Sequence, residues 1–131
     1  MQIHQSAEDY LETILMLNQR MGRVRSIDVV NELGYTKASV SIAMKKLREN
    51  GYIAVDGEGN LTLLEPGREI AERICSRHRL LTHFFVQLGV EEDIAAEDAC
   101  KAEHILSEQT LEKIREYALL HDAESTLTNA E

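Results

Sequence analysis

The sequence predicts a mostly α-helical chain, an N-terminal winged helix-turn-helix followed by a second, all-helical domain. Three observations predict it. Apolar residues recur at helical spacing early, centrally and late in the chain. Two short helical segments are split by Gly34, and a glycine-punctuated pair of strand-like runs follows them.

With 131 residues and 44% hydrophobic content, the chain can bury one core, or two small lobes sharing a long helix. No apolar run approaches the ~20 residues of a membrane span, and no basic-then-apolar leader is visible. An intracellular, cytoplasmic protein without membrane contact is expected, with Cys75 and Cys100 reduced.

The first helix is expected from Ser6, a good N-cap, to residue 21, with Tyr10, Leu11, Ile14, Leu15 and Leu17 on its apolar stripe. Glu8 serves the helix dipole. Asp9 and Glu12, i and i+3 beside that stripe, fit either the dipole or a ligand role.

Ile27 to Leu33 reads as a short helix ended by Gly34 as a left-handed cap, and Thr36 caps a second helix running to Asn50-Gly51. The front turns of that helix display only short or polar groups, which suits approach to base edges and phosphates better than packing. Residues 20–48 hold seven Arg or Lys against two acidic residues, a surplus of five, within a chain of net charge −9. That charge argues against indiscriminate polyanion binding but allows a local contact. The expected DNA-contact residues are Arg25, Thr36, Lys37, Ala38, Ser39, Ser41, Lys45 and Lys46. Residues 52–55 and 61–64 read as strands around the turn Asp56-Gly-Glu-Gly-Asn60, the wing.

Pro66 suits the first turn of a long helix over 65–88, with Ile70, Ile74, Leu81, Phe84, Phe85 and Leu88 on its buried side. His78 shares that side, as a hydrogen-bonded core residue or a ligand. His83 is read as a surface or subunit-contact residue, and Cys75 as a small buried hydrophobe. Gly89 breaks the helix. Residues 94–106 form the next one, and Ser107 caps a last helix, 108–120, presenting Leu111, Ile114 and Tyr117 or Ala118 on one face. Residues 122–131 read as a frayed polar tail. The expected domains are 1–64 and 65–131.

If residues 94–106 are helical, Cys100, Glu103 and His104 stand at i, i+3 and i+4 on one face. A thiol, a carboxylate and an imidazole there make half of a site for Fe, Co, Zn or, less readily, Mn, rather than Mg or Ca. The other reading is a buried cysteine beside a surface Glu-His pair.

Ser6 to Glu12, the helix-turn-helix and wing, Arg77-His78-Arg-Leu-Leu81 and Asp98 to His104 together make the chain resemble the DtxR/MntR family of metal-dependent transcriptional repressors over residues 5 to about 120. The resemblance implies an N-terminal DNA-binding domain and a helical metal-binding and dimerisation domain, in a homodimeric repressor bound to a double-stranded operator. It implies metal ligands at Asp9, Glu12, His78, Cys100, Glu103 and His104, and Mn(II) or Fe(II) as corepressor, with Zn(II) or Co(II) able to bind in vitro. The metal would lock the two lobes so that the recognition helices fit the operator, controlling metal-uptake genes. The chain looks like the short manganese type without an SH3-like third domain. It departs from that type at Cys100, where Glu is usual, and from the iron type at Asp9, where Met is usual.

An enzyme is not expected, because the chain lacks a His-Glu-x-x-His motif, a nucleophile elbow and a phosphate loop. No organic cofactor is expected either. The alternative is a winged-helix regulator that senses a small organic ligand, with a structural metal or none.

Overall fold

The computed structural model describes residues 5–129, with side chains as far as 123. Among these, six helices and one two-stranded sheet follow in the order α1 (Gln5–Met21), α2 (Ser26–Leu33), α3 (Lys37–Glu49), β1 (Ile53–Val55), β2 (Leu61–Leu63), α4 (Glu65–Gln87), α5 (Glu92–Ala102) and α6 (Glu108–Asn129). The mostly α-helical class and the winged helix-turn-helix are present as expected. Ser6 is not the N-cap, since α1 already includes Gln5. No helix among the described residues is long and apolar enough to cross a membrane.

The chain divides between Ile74 and Cys75 into two compact units, so α4 contributes to both. In the first unit, Leu11, Ile14 and Leu17 of α1, Val29 of α2, and Val40, Met44 and Leu47 of α3 are buried. Each such side chain contributes roughly 1.5–3 kcal/mol when fully removed from water. Gly34 closes α2 at φ 72°, in the left-handed region, and its N–H donates to Val30 O at 2.8 Å. Helix α2 starts at Ser26, one residue before the expected Ile27: Arg25 is the N-cap residue, and its N–H donates to the Asp28 carboxylate at 2.9 Å.

The wing pairs β1 with β2 antiparallel, in the register Ile53 to Leu63, Ala54 to Thr62 and Val55 to Leu61. A further bridge joins Arg25 to Asn60, and Leu61 N–H donates to Val24 O at 2.7 Å, so the segment before α2 extends the pairing beyond β2. The first turn of α4 lies against β1's entry. A Cβ on Gly67 would stand 2.2 Å from Tyr52 O, so only glycine fits there.

The second unit is built on Leu81 of α4, Ala99 of α5 and Leu111 of α6, with Leu80, Phe85, Ala102, Leu106 and Ile114 packed around them. Ala118, not Tyr117, completes the buried face of α6, because Ala118 lies one turn beyond Ile114 on the stripe begun by Leu111. Leu88, expected on the buried side, is exposed: α4 ends at Gln87 and Gly89 turns the chain at φ 105°. Ser107 caps α6 as expected, its Oγ accepting from Thr110 N–H at 3.2 Å. That helix runs on to Asn129, through a stretch with neither Gly nor Pro to stop it.

Candidate metal centre and nucleic-acid interface

In the first unit, the face expected to meet DNA is open. Thr36 caps α3, its Oγ1 accepting from Ser39 N–H at 3.1 Å and donating to Ser39 Oγ at 2.9 Å. Thr36, Lys37, Ala38, Ser39, Ser41, Lys45 and Lys46 are all exposed, while Val40, Met44 and Leu47 anchor the opposite side. The helix N-terminus adds partial positive charge to the lysines. Arg25 is exposed too, with its guanidinium nitrogens 3.4 and 3.5 Å from where a Gly59 Cβ would lie. Arg25 therefore sits against the wing turn, where Gly59 at φ 84° leaves room for it.

The turn itself is organised by Asp56. Its carboxylate accepts from Glu58 N–H, Asn60 N–H and the Asn60 side-chain amide, each at 2.9 Å. These bonds, the Asn60 side chain first, hold its pKa below the ordinary aspartate value. On α1, Glu12 is buried and Asp9 half-buried. Glu8, read from sequence as a dipole residue only, also pairs with Arg73 of α4 at 3.3 Å. Tyr10 packs edge-on against Tyr35, the residue before the α3 cap, with ring centroids 5.9 Å apart. Burial, then Tyr35, then Asp9 raise the Tyr10 pKa above the ordinary tyrosine value.

In the second unit, the sequence expectation that Cys100, Glu103 and His104 share one helical face meets a different backbone. Helix α5 ends at Ala102, and residues 103–105 form a turn. Cys100 is exposed on the last turn of α5, whereas Glu103 is fully buried and the His104 side chain is 1% exposed. The turn swings Glu103 and His104 inward toward His78 on α4. His78 Nδ1 lies 2.9 Å from Glu103 Oε2, and His104 Nε2 lies 3.4 Å from Glu103 Oε1.

A buried carboxylate oxygen ordinarily accepts hydrogen bonds. Glu103 Oε1 makes none among the described residues, yet it faces an imidazole nitrogen. Each Glu103 oxygen thus faces one imidazole nitrogen, and carboxylate with imidazole is a donor pair that suits a metal such as Mn, Fe, Co or Zn. Arg77, which sequence reasoning did not single out, positions this turn. Its guanidinium donates to Glu103 O at 3.1 Å and also pairs with the Glu108 carboxylate at the start of α6. The signal for it was present: a cation next to the histidine in the Arg77-His78 motif.

A winged helix-turn-helix with an exposed face on α3, joined in one chain to a unit whose buried Glu103 faces two imidazoles, has the features of metal-responsive DNA-binding regulators. Residues 2–61 match the family model of the iron dependent repressor N-terminal DNA binding domain, and residues 64–120 that of the iron dependent repressor metal binding and dimerisation domain. An uncharacterised HTH-type transcriptional regulator of Methanocaldococcus jannaschii is 35% identical over 113 residues, 85% of this chain and 90% of that protein. The transcriptional regulator MntR of Escherichia coli O6:H1 is 32% identical over 116 residues, 88% of this chain and 75% of that one. A manganese-dependent transcriptional repressor solved in complex with manganese superposes with TM-score 0.78 at 29% identity, over 86% of this chain and 52% of that one. The chain spans about half the length of that repressor and of the manganese regulator SloR.

The chain belongs to the iron-dependent repressor family, whose members are metal-dependent transcriptional regulators and not enzymes.

Proposed function

We propose that this protein is a homodimeric repressor whose affinity for a double-stranded DNA operator is raised by Mn(II) or Fe(II). The observation that carries the reading is the fully buried Glu103 carboxylate between two imidazoles, with one oxygen making no hydrogen bond among the described residues. His78, Glu103 and His104 of the second unit would hold the metal together with Asp9 and Glu12 of the first. Cys100 joins them only if the end of α5 brings its exposed thiol inward. Bound metal supplies the positive charge that offsets repulsion among these carboxylates. Coordination shared by ligands of both units would restrict how the units move against each other.

Each α3 of the dimer then meets one half-site, with centres about 34 Å apart or a multiple of that. A coupling of about 1–3 kcal/mol is enough to change DNA affinity 5–150-fold. The regulated genes are those of metal uptake, and the protein acts in the cytoplasm. The reading as a sensor of a small organic ligand is not favoured, since the family is a metal-dependent one. Fluorescence anisotropy on DNA upstream of its own gene, at fixed salt, tests the proposal. Mn(II) or anaerobic Fe(II) is expected to tighten binding at least about tenfold over chelator, and equal affinity in metal and chelator would refute it.

A further inference from the structure

Helix α3 carries one side chain that neither packing nor phosphate binding explains. Ile42 is 58% exposed, in the middle of the outward face, while the apolar residues that anchor the helix, Val40, Met44 and Leu47, are buried on the other side. Ala38, Ser41, Ile42 and Lys45 stand at i, i+3, i+4 and i+7, so they form one stripe along the exposed face. A single exposed isoleucine on an ordinary surface means little. Its place here, one turn after the capped helix N-terminus and beside Lys45 and Lys46, puts it where a base edge would lie.

The chemistry of the stripe narrows what it can read. The outward residues from Lys37 to Lys46 include no Asn or Gln to grip adenine with two hydrogen bonds and no Arg, so guanine contacts fall to the lysines, and the middle of the stripe, Ala38 and Ile42, offers only apolar groups. Thymine presents a methyl group in the major groove, and an apolar side chain is its complement. Isoleucine is stiff at χ1 in a helix, so it presents its methyls with little ordering cost.

We infer that Ile42, with Ala38 one turn before it, reads thymine methyl groups in the major groove and thereby sets part of the base preference of this helix. This rests on the reading of the N-terminal unit as the DNA-binding part of the chain. The flanking lysines and the helix N-terminus supply the charge that makes DNA, rather than an apolar protein partner, the occupant.

The test uses the full chain with Mn(II) and a random pool of DNA duplexes. An enriched duplex is remade with each thymine replaced singly by deoxyuridine, which removes the methyl and nothing else. At one or two steps of each half-site the replacement is expected to weaken binding about fourfold, the effect of one methyl-sized contact. Ile42→Ser is expected to bind the thymine and uracil duplexes alike at those steps while still responding to metal. Ile42→Val is expected to keep most of the preference. A thymine preference that survives undiminished in Ile42→Ser, or a wild-type protein indifferent to every replacement on an enriched duplex, overturns the inference alone. If the pool yields no enriched sequence with Mn(II) or anaerobic Fe(II), the DNA-binding reading falls with it.

Discussion

His78 Nδ1 and Glu103 Oε2 are 2.9 Å apart, one on a long helix and the other in a three-residue turn. This bond fixes where the buried carboxylate points, and the backbone carbonyl of the same residue is fixed independently by Arg77. Glu103 is thus held at both ends, by groups one residue apart on α4.

If Glu103 holds metal as proposed, Arg77 positions it for that role. Arg77→Met, which keeps the bulk of the side chain and loses its donors, is expected to weaken Mn(II) binding about 10–100-fold, as loss of an outer-shell partner does. Titration of Mn(II) followed by electron paramagnetic resonance measures it. Helical circular dichroism in chelator should change little, and an unchanged metal affinity would remove Arg77 from this role.

Cys100 separates two versions of the site. If its exposed thiol turns in to ligate, Co(II)-loaded protein will show a thiolate-to-cobalt charge-transfer band in the near ultraviolet, and Cys100→Ser will lose it. In that case Cys100→Ser will also shift preference from Zn(II) toward Mn(II), which favours oxygen ligands. Absence of the band in the wild-type protein would take Cys100 out of the ligand set.

Much of the first unit could be read from the sequence because its signals are local. Gly34 and Thr36 mark the helix boundaries around the turn by their own backbone and side-chain chemistry, and both do so in the structure. The end of α5 could not be read, since residues 103–105 contain no Gly or Pro, and the turn follows instead from burying Glu103 beside His78. Placing Cys100, Glu103 and His104 on one helical face assumed that the helix continued. Ile42 was passed over because an apolar residue in a helix reads as core until its exposure is known. The pairing of Arg25 with Asn60 joins residues far apart in sequence and carries no local mark.

The contact of α4 with the wing depends on Gly67. Gly67→Ala would push a methyl to 2.2 Å from Tyr52 O, a backbone atom that cannot swing aside. The expected cost is about 1–3 kcal/mol or more, as for other overpacked sites. Urea unfolding of the two proteins compares them directly, and equal midpoints would mean that α4 relaxes freely away from β1.

Asp56 gives the wing a pH dependence of known sign. Its folded pKa lies below the ordinary one, so the stabilisation is complete above the ordinary aspartate value of about 3.9 and fades as pH falls through the folded value. Hydrogen exchange at the Glu58 and Asn60 amides, both bonded to this carboxylate, should speed up in that acid range beyond the intrinsic rate. In Asp56→Ala both amides should be unprotected at every pH. Equal protection in the two proteins would show that the glycines alone hold the turn.

The most direct measurement is DNA binding by Glu103→Gln, with Mn(II) and with chelator, beside the wild type at one salt concentration. The substitution preserves shape and removes the charge at the centre of the cluster. The account predicts that wild-type protein binds at least about tenfold tighter with Mn(II), and that Glu103→Gln binds equally weakly in both conditions while keeping its fold. A variant that still tightens on DNA when Mn(II) is added would place the metal centre elsewhere.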